Sequence, residues 1–166
     1  MMNKIKNKTE KCEKNKTIII VISFILVICW MILVFLFSSQ ISDESSKTSG
    51  CLIETIIKLI TGNNANKVLI ESLQHIVRKL AHFSIYAIGG ILILSHINVS
   101  YENLKYKKTI ALIIGIIYAI TDEIHQLFIP GRSGNIKDIC IDSLGVATGI
   151  LLIYLVRFYI MKIRKK

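Results

Sequence analysis

A chain of 166 residues that is 52% hydrophobic, with one proline and a formal net charge of +10, has the length of one soluble domain but not its pattern. Its apolar residues gather in four runs, 17–37, 80–97, 109–128 and 139–161, each near the roughly 20 residues a helix needs to cross about 30 Å of hydrocarbon. A soluble domain is excluded, and so is a membrane barrel, which needs short alternating segments. The expected fold class is all-α: an integral membrane four-helix bundle.

The positive charge is clustered. Lys4, Lys6, Lys8, Lys11, Lys14 and Lys16 precede the first run, and Lys105, Lys107 and Lys108 lie between the second and third. Arg157, Lys162, Arg164, Lys165 and Lys166 close the chain. Four crossings put all three clusters on one side, which the positive-inside rule makes cytoplasmic. The expected location is therefore the plasma membrane, multi-pass, with both termini cytoplasmic. Topology and contact with anionic lipid account for the charge, and no nucleic-acid partner is expected. Cys12, Cys29, Cys51 and Cys140 show no pair or finger spacing. Only Cys51 and Cys140 would face outward, so one disulfide is conceivable but not indicated.

In chain order, residues 1–16 read as a basic cytoplasmic tail that orders only at the membrane surface. The four-span membrane domain covers 17–161, and 162–166 form a second basic tail. The first run is longer than a signal-peptide core and ends in FLFSSQ without a small-residue cleavage site, so a retained anchor is expected. It reads as a plain anchor helix. The polar patch of Ser38, Ser39, Gln40, Ser42, Asp43, Glu44, Ser45 and Ser46 reads first as a helix cap and second as the lining of a site's outer mouth. Residues 51–60, CLIETIIKLI, place Leu52, Ile53, Ile56, Ile57 and Ile60 at helical spacing. They predict a short amphipathic interfacial helix in the first outer loop. Gly62, Asn63 and Asn64 make a turn, and a further helical pattern starts near Lys67 and runs unbroken into the second span.

The chemistry-bearing residues converge. In the second span Arg78, His82 and Tyr86 are spaced i, i+4, i+8 and share one helix face. In the third, Tyr118, Asp122 and Gln126 form a matching face, with Glu123 beside it, before Pro130 and Gly131 break the helix. In the fourth, Asp138 and Asp142 share a face with Gly145 and Gly149. With the N-terminus inside, all these ionisable groups and Arg132 fall in the outer half of the membrane. Charges at that depth are costly and mark a functional site. The candidate catalytic residues are Glu123, Asp122, His82 and Asp142, a carboxylate–histidine set suited to general acid–base work. The candidate binding residues are Arg78, Arg132, Gln126, Tyr86 and Asp138, the two arginines suited to clamping a phosphate or carboxylate. Asp138 reads equally as the N-cap of the fourth span, and His125 as water-facing. The Asp/Glu/His set could also hold a divalent cation, but H-E-x-x-H or comparable spacing is missing, so no metal is expected, and no cofactor. The small-xxx-small GVATG permits a homo-oligomer interface as readily as packing within the chain.

RKLAHFSIYAIGG, TDEIHQLFIPGR and DICIDSLGVATG, with FSSQISDESS after the first span, resemble the VanZ-like family of bacterial membrane proteins over nearly everything from Phe37 to about Leu152. The family's motif residues fall here on Arg78, Lys79, His82, Tyr86, Asp122, Glu123, Gln126, Phe128, Pro130, Gly131, Arg132, Asp138, Asp142 and Gly145. Position 143 is Ser where the family usually shows Asn. The resemblance implies low-level resistance to teicoplanin, a lipoglycopeptide, with much less effect on vancomycin. Three function classes stay open. One is an enzyme acting on a membrane lipid or lipid-linked envelope molecule, and a second is a non-catalytic binder or charge-paired structural protein. The third is a small proton- or ion-coupled transporter, the weakest because the first span is nearly all apolar and the inner halves are nearly uncharged.

Overall fold

The computed structural model describes residues 2–40, 50–51, 53–55, 57–59, 67–132 and 134–164. Its four long helices are α1 (Met2–Ser38), α2 (Lys67–Ser100), α3 (Lys107–Gln126) and α4 (Ile136–Arg164). Each is long and apolar enough to cross a membrane. The chain is an all-α, multi-pass membrane protein. Residues 50, 51, 53–55 and 57–59 are helical, as the apolar spacing predicts, with Ile53 buried and Glu54 and Lys58 exposed. Gly50 lies against Gln74 and Ile70 of α2. The expected cap over Ser42–Ser46 and the turn at Gly62, Asn63 and Asn64 lie outside the described residues.

Several helix boundaries differ from those the sequence predicts, and three have a clear physical reason. The helix of α1 starts at Met2, so the basic tail is helical up to the anchor. Propagating a helix adds one hydrogen bond per residue without a new nucleus, and Lys and Glu are good helix formers. The apolar helix α3 ends at Gln126 rather than Phe128. Leu127, Phe128 and Ile129 close it with i→i+3 bonds to Ile124, His125 and Gln126 carbonyls. Pro130 disfavours helical backbone at the residue before it, and Gly131 takes φ 78° to turn the chain. The cap of α4 is Asn135, whose Oδ1 accepts the Lys137 N–H at 3.0 Å. Asp138 is thus a first-turn residue instead, well placed against the positive end of the helix.

The apolar stripe of α3 that faces inward is made of small residues, Ala111, Gly115 and Ala119, and turns polar at Asp122, Glu123 and Gln126. Small side chains let α4 come close: a Cβ on Gly115 would run into Val146. The most extensive contact is between α2 and α4. There Gly145 and Gly149 lie directly on the Phe83 and Ala87 carbonyls, and Gly90 on that of Val146. GVATG is therefore spent inside the chain, on a backbone-to-backbone approach that lipid alone does not drive. Gly149→Leu would press a side chain into the α2 backbone, which has no rotamer by which to yield. The expected cost is about 3 kcal/mol, at the top of the overpacking range, read as thermal unfolding in detergent. Unfolding like the wild type would contradict this packing.

The two ends of the bundle differ. At one end Lys16 Nζ sits 2.9 Å from Glu102 Oε1, Lys107 Nζ donates to the Glu102 carbonyl at 2.9 Å, and Lys108 Nζ lies 3.3 Å from the Tyr154 ring centroid. The hydrogen bond and charge of Lys16 hold the Glu102 carboxyl below its ordinary value. Lysines of the first two basic clusters thus meet at one end, beside Tyr154 of α4. The opposite end gathers Ser38, the α2 segment from Arg78 to Tyr86, the close of α3 and the start of α4.

Candidate functional site

An aromatic layer forms the floor of that second end. Trp30 of α1 meets Tyr86 edge-on at 5.8 Å and Tyr118 at 5.1 Å, and its Nε1 donates to the Ile85 carbonyl at 2.9 Å. Trp30, Val34 and Ser38 are buried at i, i+4 and i+8, so α1 is not a plain anchor: one face of it enters the bundle. Ser38, read from the sequence first as a cap, joins this site, and the burial of Trp30 and Val34 below it shows which way its face turns.

Directly above the floor, Asp122 is almost fully buried, at 4% exposure. Its Oδ2 accepts three hydrogen bonds: from Ser38 Oγ at 2.9 Å, Tyr86 Oη at 3.1 Å and Gln126 Nε2 at 3.2 Å. Its Oδ1 is buried without a hydrogen-bond partner among the described residues. One carboxylate therefore ties α1, α2 and α3 together, in the charge-assisted geometry that is worth most in a low-dielectric interior. Ser38→Ala removes one donor and is expected to cost about 1–2 kcal/mol. Ser39→Ala, whose hydroxyl among the described residues bonds just to the Phe35 carbonyl, should leave unfolding unchanged. Equal losses would contradict the assignment.

Beside this network, His82 Nδ1 stands 3.6 Å from Asp142 Oδ1. Asp142 is 0% exposed, and neither of its oxygens has a hydrogen-bond partner among the described residues. Both residues open onto a cavity of about 200 Å³ whose wall also includes Arg78, Lys79, Arg132, Asn135 and Asp138. Lys79 Nζ pairs with Asp138 Oδ1 at 3.3 Å, both half-exposed, so Lys79 is part of the cavity wall. Arg132 reaches the Phe37 carbonyl through Nη2 at 3.3 Å. Burial, and then the neighbouring Arg78 guanidinium, bring the Arg132 pKa down from its ordinary value. Arg78 and Arg132 thus stand on the wall of one cavity.

The predicted site residues fall into three groups. Arg78, His82, Gln126, Arg132, Asp138 and Asp142 line the cavity. Tyr86 and Asp122 lie beneath it, joined to each other. Glu123 turns to the connecting loop, where Oε1 accepts the Asn135 N–H at 2.5 Å and fixes the start of α4. His125 stays outside, its ring 4.3 Å from that of Phe35. Cys51 and Cys140 are both free thiols.

A second polar contact lies toward the basic end, where Ser23 Oγ meets His96 Nδ1 at 2.9 Å. Among the described residues no hydrogen-bonded path crosses the aromatic layer between it and the cavity.

No curated protein and no solved structure matches the chain. The VanZ/LLP1 family matches residues 23–157, a stretch that takes in the aromatic floor, the Asp122 network and the whole cavity wall, and the chain belongs to that family.

Proposed function

We propose that the cavity opens to the outer leaflet and binds the anionic headgroup of a membrane lipid or lipid-linked envelope molecule. In this reading Arg78 and Arg132 hold the anion, and Lys79, Asp138, Gln126 and Asn135 shape the mouth. Glu123 keeps the loop carrying Arg132 in register. The carrying observation is that Arg78 and Arg132 line one cavity at the ends of helices apolar enough to cross a membrane. Occupying the headgroup that a lipoglycopeptide approaches is the route by which the chain would contribute to teicoplanin-type resistance.

The His82–Asp142 pair favours a second reading, chemical modification of the same headgroup, with the imidazole as acid/base and the carboxylate orienting it. Transport has the least support, because the aromatic layer separates the polar groups of the two halves.

The test is direct binding to purified full-length protein in detergent. Short-chain phosphatidylglycerol should bind and short-chain phosphatidylcholine should bind much more weakly. Equal affinity for the two lipids would refute an anion-selective cavity. If Asp142→Asn kept the lipid but lost protection in cells, the site would be one of chemistry rather than sequestration.

A further inference from the structure

His82, Asp122 and Asp142 come from three different helices, and each offers one donor atom such that all three lie within 4.8 Å of one another. Two buried carboxylates this close repel strongly in a low-dielectric interior unless one takes up a proton or a positive group stands between them. Hydrogen bonding among the described residues does not supply it. Asp142 has two buried oxygens without hydrogen-bond partners and Asp122 has a third, while Lys79 is engaged with Asp138. The 3.6 Å between His82 and Asp142 is too long for a hydrogen bond. It is close to the edge of a coordination sphere, because donors about 2.1 Å from a tetrahedral ion stand about 3.4 Å apart.

The surroundings of Asp122 point the same way. Ser38, Tyr86 and Gln126 all bond to Oδ2, which fixes the carboxylate plane and leaves Oδ1 unused. Outer-shell donors orient a ligating carboxylate in this manner.

We propose that His82, Asp122 and Asp142 hold a divalent cation between α2, α3 and α4 at the base of the cavity. One imidazole and two carboxylates suit Zn²⁺ or Mn²⁺ better than a soft, thiolate-seeking ion. The cation would sit beneath the two arginines and leave coordination positions open toward the cavity. A phosphate oxygen could then be bound from both sides. The expectation of no metal rests on local ligand spacing, and donors from three helices leave no such spacing to find. This site stands whether or not a headgroup binds above it.

The experiment uses full-length protein without a histidine tag, stripped by chelator and kept in phosphate-free buffer. Zn²⁺ and Mn²⁺ are titrated by calorimetry, and Co²⁺ is added as a spectroscopic probe. The proposal predicts one ion per chain, a Co²⁺ absorption band displaced by Zn²⁺, and a rise in Tm with metal. Asp142→Asn, Asp122→Asn and His82→Gln should each weaken binding at least 10-fold. Folded wild type that takes up neither Zn²⁺ nor Mn²⁺ would overturn it. So would an ion whose affinity and Co²⁺ spectrum are unchanged in all three folded variants. Because no anion is present, failure here leaves the lipid-binding test independent.

Discussion

Trp30→Ala is expected to destabilise the bundle by about 3 kcal/mol, the lower end of the range for truncating a buried aromatic. The lower end applies because the helices separate into lipid, which is as apolar as the core, so little of the cost is transfer free energy. What is lost is contact. Trp30 fills the space over Gly89, touches Tyr86 and Tyr118, and bonds to the Ile85 carbonyl. Ile32 and Leu33 flank the same turn but face outward at 53% and 50% exposure, and their alanine variants should stay within about 0.5 kcal/mol of wild type. Thermal unfolding in detergent decides. Three equal losses would contradict the docking of α1, and with it the position of Ser38 at Asp122.

Arg132→Ala should weaken phosphatidylglycerol binding about 10- to 100-fold, since a hydrogen bond to a charged group contributes about 1.5–3 kcal/mol. The fold should tolerate the change, because the side chain touches α1 through one long, exposed bond to Phe37. Arg132→Lys keeps the charge but loses the two-pronged fork, and should fall between the two. Affinity unaffected by either substitution would move the anion site away from this wall.

Much of this arrangement is legible in the amino-acid sequence. The four spans, the unbroken entry of α2 from Lys67 and the shared end of Arg78, His82, Asp122, Arg132, Asp138 and Asp142 follow from apolar run length, helical spacing and crossing parity. Ser38 is not legible in the same way. A serine at the end of an apolar run looks like a cap, and only the burial of Trp30 and Val34 below it shows which way that face turns. Glu123 stands next to Asp122 in sequence, yet neighbouring helix positions point about 100° apart. One carboxylate enters the network and the other goes to Asn135. Which of the two does so depends on how α4 packs, and that is set by Gly145 and Gly149 against the α2 backbone.

The measurement that reaches the central claim most directly is teicoplanin and vancomycin susceptibility. It is made in a sensitive host expressing wild type, Arg132→Ala or Asp142→Asn at matched membrane levels. Wild type is predicted to protect against teicoplanin more than vancomycin, and both variants to fall to the level of the empty host. Full protection by both variants would contradict a functional role for the cavity and leave its charges as ties between helices.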